Sequence, residues 1–208
     1  MSNVIEAASG IANAVRKLKE GGVVAFPTDT LYALGADATN PNAIERVFGI
    51  KGREAGKPLP LFVSGGEMAR RYARLTPDAE ALARRYWPGA LTLVLERRPG
   101  FESAALAGGE TVALRAPDHQ AALALVEGLD RPVTGTSANL AGGPDPVTAH
   151  DVIEALGDRV DLVLDGGACP RGQPSTIVDC TSSPPRVLRE GAISAAEIAA
   201  ALGSPARL

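Results

Sequence analysis

Seven short apolar runs, each bounded by Gly, Pro or small polar residues, constrain this chain more than any other feature. They are VVAF (23–26), LPLFV (59–63), ALTLVLE (90–96), TVALRAP (111–117), VDLVLD (160–165), STIVDC (175–180) and RVLR (186–189). Each has the length and branching of a buried strand. Between them lie segments of helical period. SGIANAVRKLKE (9–20) places Ile11, Val15 and Leu18 on one face, and Gly21-Gly22 stops it. Asn40-Pro41 and Thr76-Pro77 each read as a cap followed by a first-turn proline. A helix is expected from about His119 to Leu129, and Thr148 with Asp151 and Ser194 with Glu197 approximate capping boxes for two more. Helices and strands are mixed, with strands clustered late. The pattern predicts one α/β domain over residues 1–208, built on a mixed β-sheet flanked by helices.

Composition narrows the function classes. Hydrophobic residues make up 45% of the 208 and charged residues 22%, enough to bury a core. No apolar run approaches the roughly 20 residues that cross a bilayer. MSNVIEAASG lacks the basic patch and apolar block of a secretory signal, so no membrane partner is expected and a cytoplasmic location is. The two cysteines, Cys169 and Cys180, are too sparse for a disulfide framework. His119 and His150 are the only histidines and lie in separate helical segments, which disfavours a His-based zinc site and a Ser-His-Asp triad. An enzyme of this sequence is expected to work without a histidine base.

Net charge is −3, so no global basic field recruits nucleic acid. The basic residues are unevenly composed. Only four of 21 are lysines, and two of these, Lys51 and Lys57, fall with Arg53 in KGREAGK. GREAGKP is not a P-loop: three residues separate its glycines, proline follows Lys57, and a strand comes next. It reads either as a solvated basic loop or as a Lys/Arg clamp for phosphates. VTGTSANLAGGPDP (133–146) gathers Thr134, Thr136, Ser137 and Asn139 beside glycines that allow close backbone approach. No base accompanies Ser137, so it is not read as a nucleophile. Arg115 and Arg189 each end an apolar run, Ser175 and Thr176 open another, and Thr28, Asp29 and Thr30 follow VVAF. Spacing does not show that these groups converge. On residue chemistry alone the chain binds something phosphorylated.

Taken in order, FPTDTLYALGADA, KGREAGKPLPLFV, WPGALTLVL, VALRAPDH, GTSAN, STIVD and VLREG resemble the YrdC-type threonylcarbamoyl-adenylate synthases, from about residue 11 to 201. The resemblance implies a single twisted mixed sheet with helices around it and a large concave, positively charged cavity. It implies an enzyme that joins L-threonine, bicarbonate and ATP into threonylcarbamoyl-AMP and releases pyrophosphate. Magnesium would enter with ATP, with no protein metal site. The product would serve N6-threonylcarbamoyladenosine formation beside the anticodon through downstream tRNA-modifying transferase proteins; direct contact with tRNA is left open. By position, Lys51 and Arg53 would be catalytic and would hold the ATP phosphates with Ser137 and Asn139, with Lys57 nearby and Arg189 adding to the nucleotide site. Thr28, Thr30 and Ser175 would line the threonine pocket, and Arg115 would pair with the carboxylate. Asp29 is read as orienting its turn. Two positions depart from the family pattern: Ala33 stands where Gly is common, and Phe62 where some members place His. The alternatives are a non-catalytic module binding tRNA or double-stranded RNA, and a carbamoyl-transferring relative that uses carbamoyl phosphate.

Overall fold

In the computed structural model, which describes residues 4–52 and 56–203, strand β1 (Val4–Glu6) runs directly into helix α1 (Ala7–Lys19). Strands β2 (Val24–Phe26) and β3 (Ala33–Gly35) follow, joined by the loop that carries Thr28, Asp29 and Thr30. Helix α2 (Pro41–Lys51) begins where the Oδ1 of Asn40 accepts from the backbone N–H groups of Asn42 (3.1 Å) and Ala43 (3.2 Å). It stops at Gly52, whose φ of 60° is the left-handed turn that glycine adopts without strain. Lys51 is thereby fixed on the last turn.

Next come β4 (Leu61–Phe62), α3 (Gly66–Tyr72), β5 (Ala73–Arg74) and α4 (Pro77–Tyr86), the last capped by Thr76. Strands β6 (Leu91–Arg97) and β7 (Thr111–Arg115) pair antiparallel, and α5 (Gln120–Leu129) is capped by the side chain of His119. After β8 (Val133–Thr134) and β9 (Thr136–Ser137), helix α6 (Ala149–Leu156) opens with a complete capping box from Thr148 and Asp151. Strands β10 (Leu162–Asp165), β11 (Thr176–Asp179) and β12 (Arg186–Arg189) precede α7 (Ala195–Leu202), whose capping box is Ser194 with Glu197.

The expected mixed α/β architecture with flanking helices is present, but among the described residues the strands form two sheets rather than the single one expected. One runs β1-β10-β2-β3-β9 and the other β12-β11-β6-β7-β4-β8, with β5 on the edge of β6. Both mix parallel and antiparallel pairs. The chain passes from one ladder to the other at Gly135, between β8 and β9. A Cβ there would lie 2.4 Å from the Phe62 ring, so the crossing point admits only glycine without displacing that ring. Phe26 of the first ladder meets Phe62 of the second edge to face at 6.1 Å. This contact ties the two sheets through a shared core. Helix α1 lies against α5, and α4 against α7. Strands β1, β3, β5, β8 and β9 were not expected from the sequence, and α1 starts two residues early, at Ala7.

Candidate functional site

A cavity of about 710 Å³ opens between the ladders, floored by β6, β7 and β11 and walled by the loops after β2, α2 and β9. Nine of the expected site residues line it: Thr28, Thr30, Lys51, Lys57, Arg115, Ser137, Asn139, Ser175 and Arg189. Arg53 lies outside the described residues. Ala33 and Phe62, the two departures, also face the cavity. The described lining carries four cations, Lys51, Lys57, Arg115 and Arg189, against one carboxylate, Asp145.

The first cluster joins the end of α2 to the glycine-rich loop. Lys51 is only 4% exposed. Its Nζ donates to the carbonyls of Ser137 (2.6 Å) and Asn139 (3.0 Å) and to Oδ1 of Asn139 (3.1 Å). Ser137 Oγ donates to the same Oδ1 at 2.8 Å, and Nδ2 of Asn139 donates to the carbonyls of Gly143 (3.0 Å) and Pro144 (2.9 Å). The N–H of Ala141 closes the ring on the Lys51 carbonyl at 2.9 Å. Asn139 therefore shapes the 140–144 loop, and Lys51 brings a positive charge to its base. Lys57 is exposed at the mouth.

The second cluster surrounds Arg115 at the end of β7. Its Nε donates to the Gly89 carbonyl (2.9 Å), Nη1 to Thr30 Oγ1 (2.8 Å) and Nη2 to Asp29 Oδ1 (2.5 Å). The guanidinium sits 5.6 Å over the Phe62 ring. Burial pushes its pKa down while Asp29 pushes it back up, and an arginine so paired stays cationic. Thr28 is a turn builder: its Oγ1 accepts from the N–H groups of Thr30 (3.0 Å) and Leu31 (3.2 Å) and donates to the Leu31 carbonyl (2.7 Å).

The third cluster sets Ser175 against Thr92 on β6, hydroxyl to hydroxyl at 2.9 Å, while Arg189 on β12 donates from Nη2 to the Ser175 carbonyl at 2.7 Å. Thr92 and Asp29 were missed as site residues by sequence reasoning. Thr92 is the one hydroxyl inside the apolar run ALTLVLE, a signal that was there to read. Asp29 reads in the sequence as a local turn residue, yet its partner Arg115 is remote in sequence. Among the described residues no group of His, Cys, Asp and Glu is arranged to hold a metal ion. The arrangement suits an anionic ligand gripped by fixed cations and small hydroxyls, with a buried guanidinium at one end.

The family described as Sua5_yciO_yrdC, telomere recombination, matches residues 16–191. The chain is 42% identical over 187 residues to the threonylcarbamoyl-AMP synthase of Pyrococcus abyssi, covering 89% of this chain and 55% of that protein. It is 40% identical over 195 residues to the Bacillus subtilis protein of the same name, covering 93% and 56% respectively. The crystal structure of P. abyssi Sua5 complexed with L-threonine superposes with a TM-score of 0.91 at 39% identity, over 100% of this chain and 62% of that one. The chain thus spans only a little over half the length of these two relatives.

Proposed function

The chain belongs to the Sua5_yciO_yrdC family, and from that premise we propose that it is an L-threonylcarbamoyladenylate synthase, condensing L-threonine, bicarbonate and ATP to threonylcarbamoyl-AMP and pyrophosphate. The observation that carries this reading is the cavity itself, in which a hydroxyl-lined pocket at Arg115 adjoins the cationic wall at Lys51. The bound threonine of the P. abyssi Sua5 crystal structure is consistent with the same assignment.

The chemistry needs position and charge rather than a histidine. Dehydration of bicarbonate gives carbon dioxide, which the threonine amine takes up as it loses a proton, forming a carbamate. A carbamate oxygen then attacks the α-phosphorus in line, and the bond to pyrophosphate breaks. Such a displacement is accelerated by alignment and by donors aimed at the developing charge. In this reading Lys51, with Arg53, Lys57 and Arg189, faces the phosphates, and the loop shaped by Ser137 and Asn139 cradles them. Thr28, Thr30 and Ser175 line the amino-acid pocket, and Arg115 takes the carboxylate. Magnesium would accompany ATP and offset charge on its phosphates. The product is handed, in the cytoplasm, to the transferase proteins that build N6-threonylcarbamoyladenosine next to the tRNA anticodon.

The test is pyrophosphate release from Mg-ATP with threonine and bicarbonate omitted in turn. Release that requires both supports the synthase. Background hydrolysis indifferent to both would sink it.

A further inference from the structure

The carboxylate of Asp29 has no part in the reaction as written, yet it is among the most tightly enclosed charges in the site, at 3% exposure. Its Oδ1 accepts from Arg115 Nη2 (2.5 Å) and from the N–H of Asp118 (3.0 Å). Its Oδ2 is buried and has no hydrogen-bond partner among the described residues. A bare carboxylate oxygen in the interior is costly unless a charge faces it. One does: the Nε of Arg171 stands 3.6 Å away, an ion-pair distance too long for a hydrogen bond. The N–H of Arg171 also donates to the Asp29 carbonyl at 3.3 Å, so the loop after β10 is anchored on this residue.

Resting on the threonine-binding reading, we propose that Asp29 is a positioning residue that presets Arg115 to receive an amino-acid carboxylate, with Arg171 as the balancing cation behind it. A guanidinium has five donors. Gly89, Thr30 and Asp29 take one each from Nε, Nη1 and Nη2, which leaves one N–H on each terminal nitrogen for a ligand. Of the three acceptors only Asp29 is charged, and it fixes the orientation in which those two remain. A substrate carboxylate arriving at Arg115 meets the negative Asp29 close by, a repulsion that a lone Asp–Arg pair would leave unbalanced. With Arg171 the cluster carries one excess positive charge when empty and none once the carboxylate is bound. Arg171 is 47% exposed at its side chain, so its share is the smaller one.

The test compares the full chain with Asp29→Asn and Arg171→Gln by titration with L-threonine and, separately, with ATP, alongside nitrogen NMR of the Arg115 guanidinium. Asp29→Asn is expected to weaken threonine binding by about tenfold or more with ATP binding kept, and to erase the slowly exchanging Arg115 Nη signals. Arg171→Gln is expected to weaken threonine by about threefold at unchanged melting temperature. Threonine binding unaltered in Asp29→Asn, or equal loss of both ligands, overturns the positioning role. Should Asp29→Asn fail to fold, the exposed Arg171→Gln decides: unaltered threonine affinity there overturns the proposal. A wild-type chain that ignores threonine while its Arg115 signals still depend on Asp29 would remove the synthase reading and leave the clamp standing.

Discussion

At the scale of single residues, two basic groups that line the cavity, Lys51 and Arg115, are built for different work. Among the described residues Lys51 Nζ meets three acceptors, on Ser137 and Asn139. A planar guanidinium cannot converge on three such oxygens. Lys51→Met and Lys51→Arg are therefore both expected to lower turnover by about 10²- to 10³-fold, mainly through the nucleotide side. Arg115→Ala should do the reverse, weakening threonine use while ATP binding is largely kept. Steady-state rates with each substrate varied in turn check the crossing pattern. If the Lys51 and Arg115 variants raise both Michaelis constants alike, the division of the cavity into a phosphate wall and an amino-acid pocket is wrong.

Helix starts carry the element-scale chemistry, and the one at His119 titrates nearest neutral pH. The Nδ1 of His119 accepts the N–H of Ala121 at 3.2 Å to cap α5, which it can do only unprotonated. Burial lowers its pKa below the ordinary 6.5, with Asp29 and Asp118 pulling the other way without prevailing. As pH falls below that ordinary value the unfolded chain takes the proton first, so the cap's contribution, complete above it, drains away until the folded state is protonated too. Asp151 and Glu197 are held below the carboxylate range by backbone N–H groups, so their losses come at lower pH. Urea unfolding from about pH 8 down to about pH 5 should show stability declining on the acid side. His119→Asn, a cap that does not titrate, should flatten that decline; an unchanged slope would place its cause elsewhere. Caps of this kind are local, which is why the starts of α2, α4, α6 and α7 were legible in the sequence at Asn40, Thr76, Thr148 and Ser194. The seven apolar runs were legible too, as β2, β4, β6, β7, β10, β11 and β12. Strands β3, β8 and β9 were not, because ALG, VT and TS hold no apolar run and become strands only when a partner edge is supplied. The site divides the same way. Its hydroxyls and cations could be named, but the pairing of Arg115 with Asp29 spans 86 residues and exists only in the folded sheet.

Across the whole molecule, charge is distributed against its own total. The chain carries −3 overall, while the described cavity wall presents Lys51, Lys57, Arg115 and Arg189 against Asp145 alone. The fold achieves this by pairing surface arginines where they stand: Arg70 with Glu80, Arg71 with Asp130, Arg97 with Glu102 and Glu110. Those exposed pairs contribute little to stability, but each neutralises its arginine locally, so the net negative charge lies outside the cavity while the lining stays positive. A polyanion approaching the cavity meets the exposed Lys57 and Arg189 as well as the enclosed Lys51, so the exposed part of its affinity falls as salt rises. A zwitterion gains nothing from that long-range field, and its carboxylate would sit beside a guanidinium too enclosed for ions to screen. Calorimetric titrations at about 50 mM and about 500 mM salt should therefore weaken ATP severalfold and leave L-threonine nearly unchanged. Parallel salt slopes for the two ligands would mean that both bind through the same exposed charges, and that the enclosed pocket at Arg115 is not where the amino acid goes.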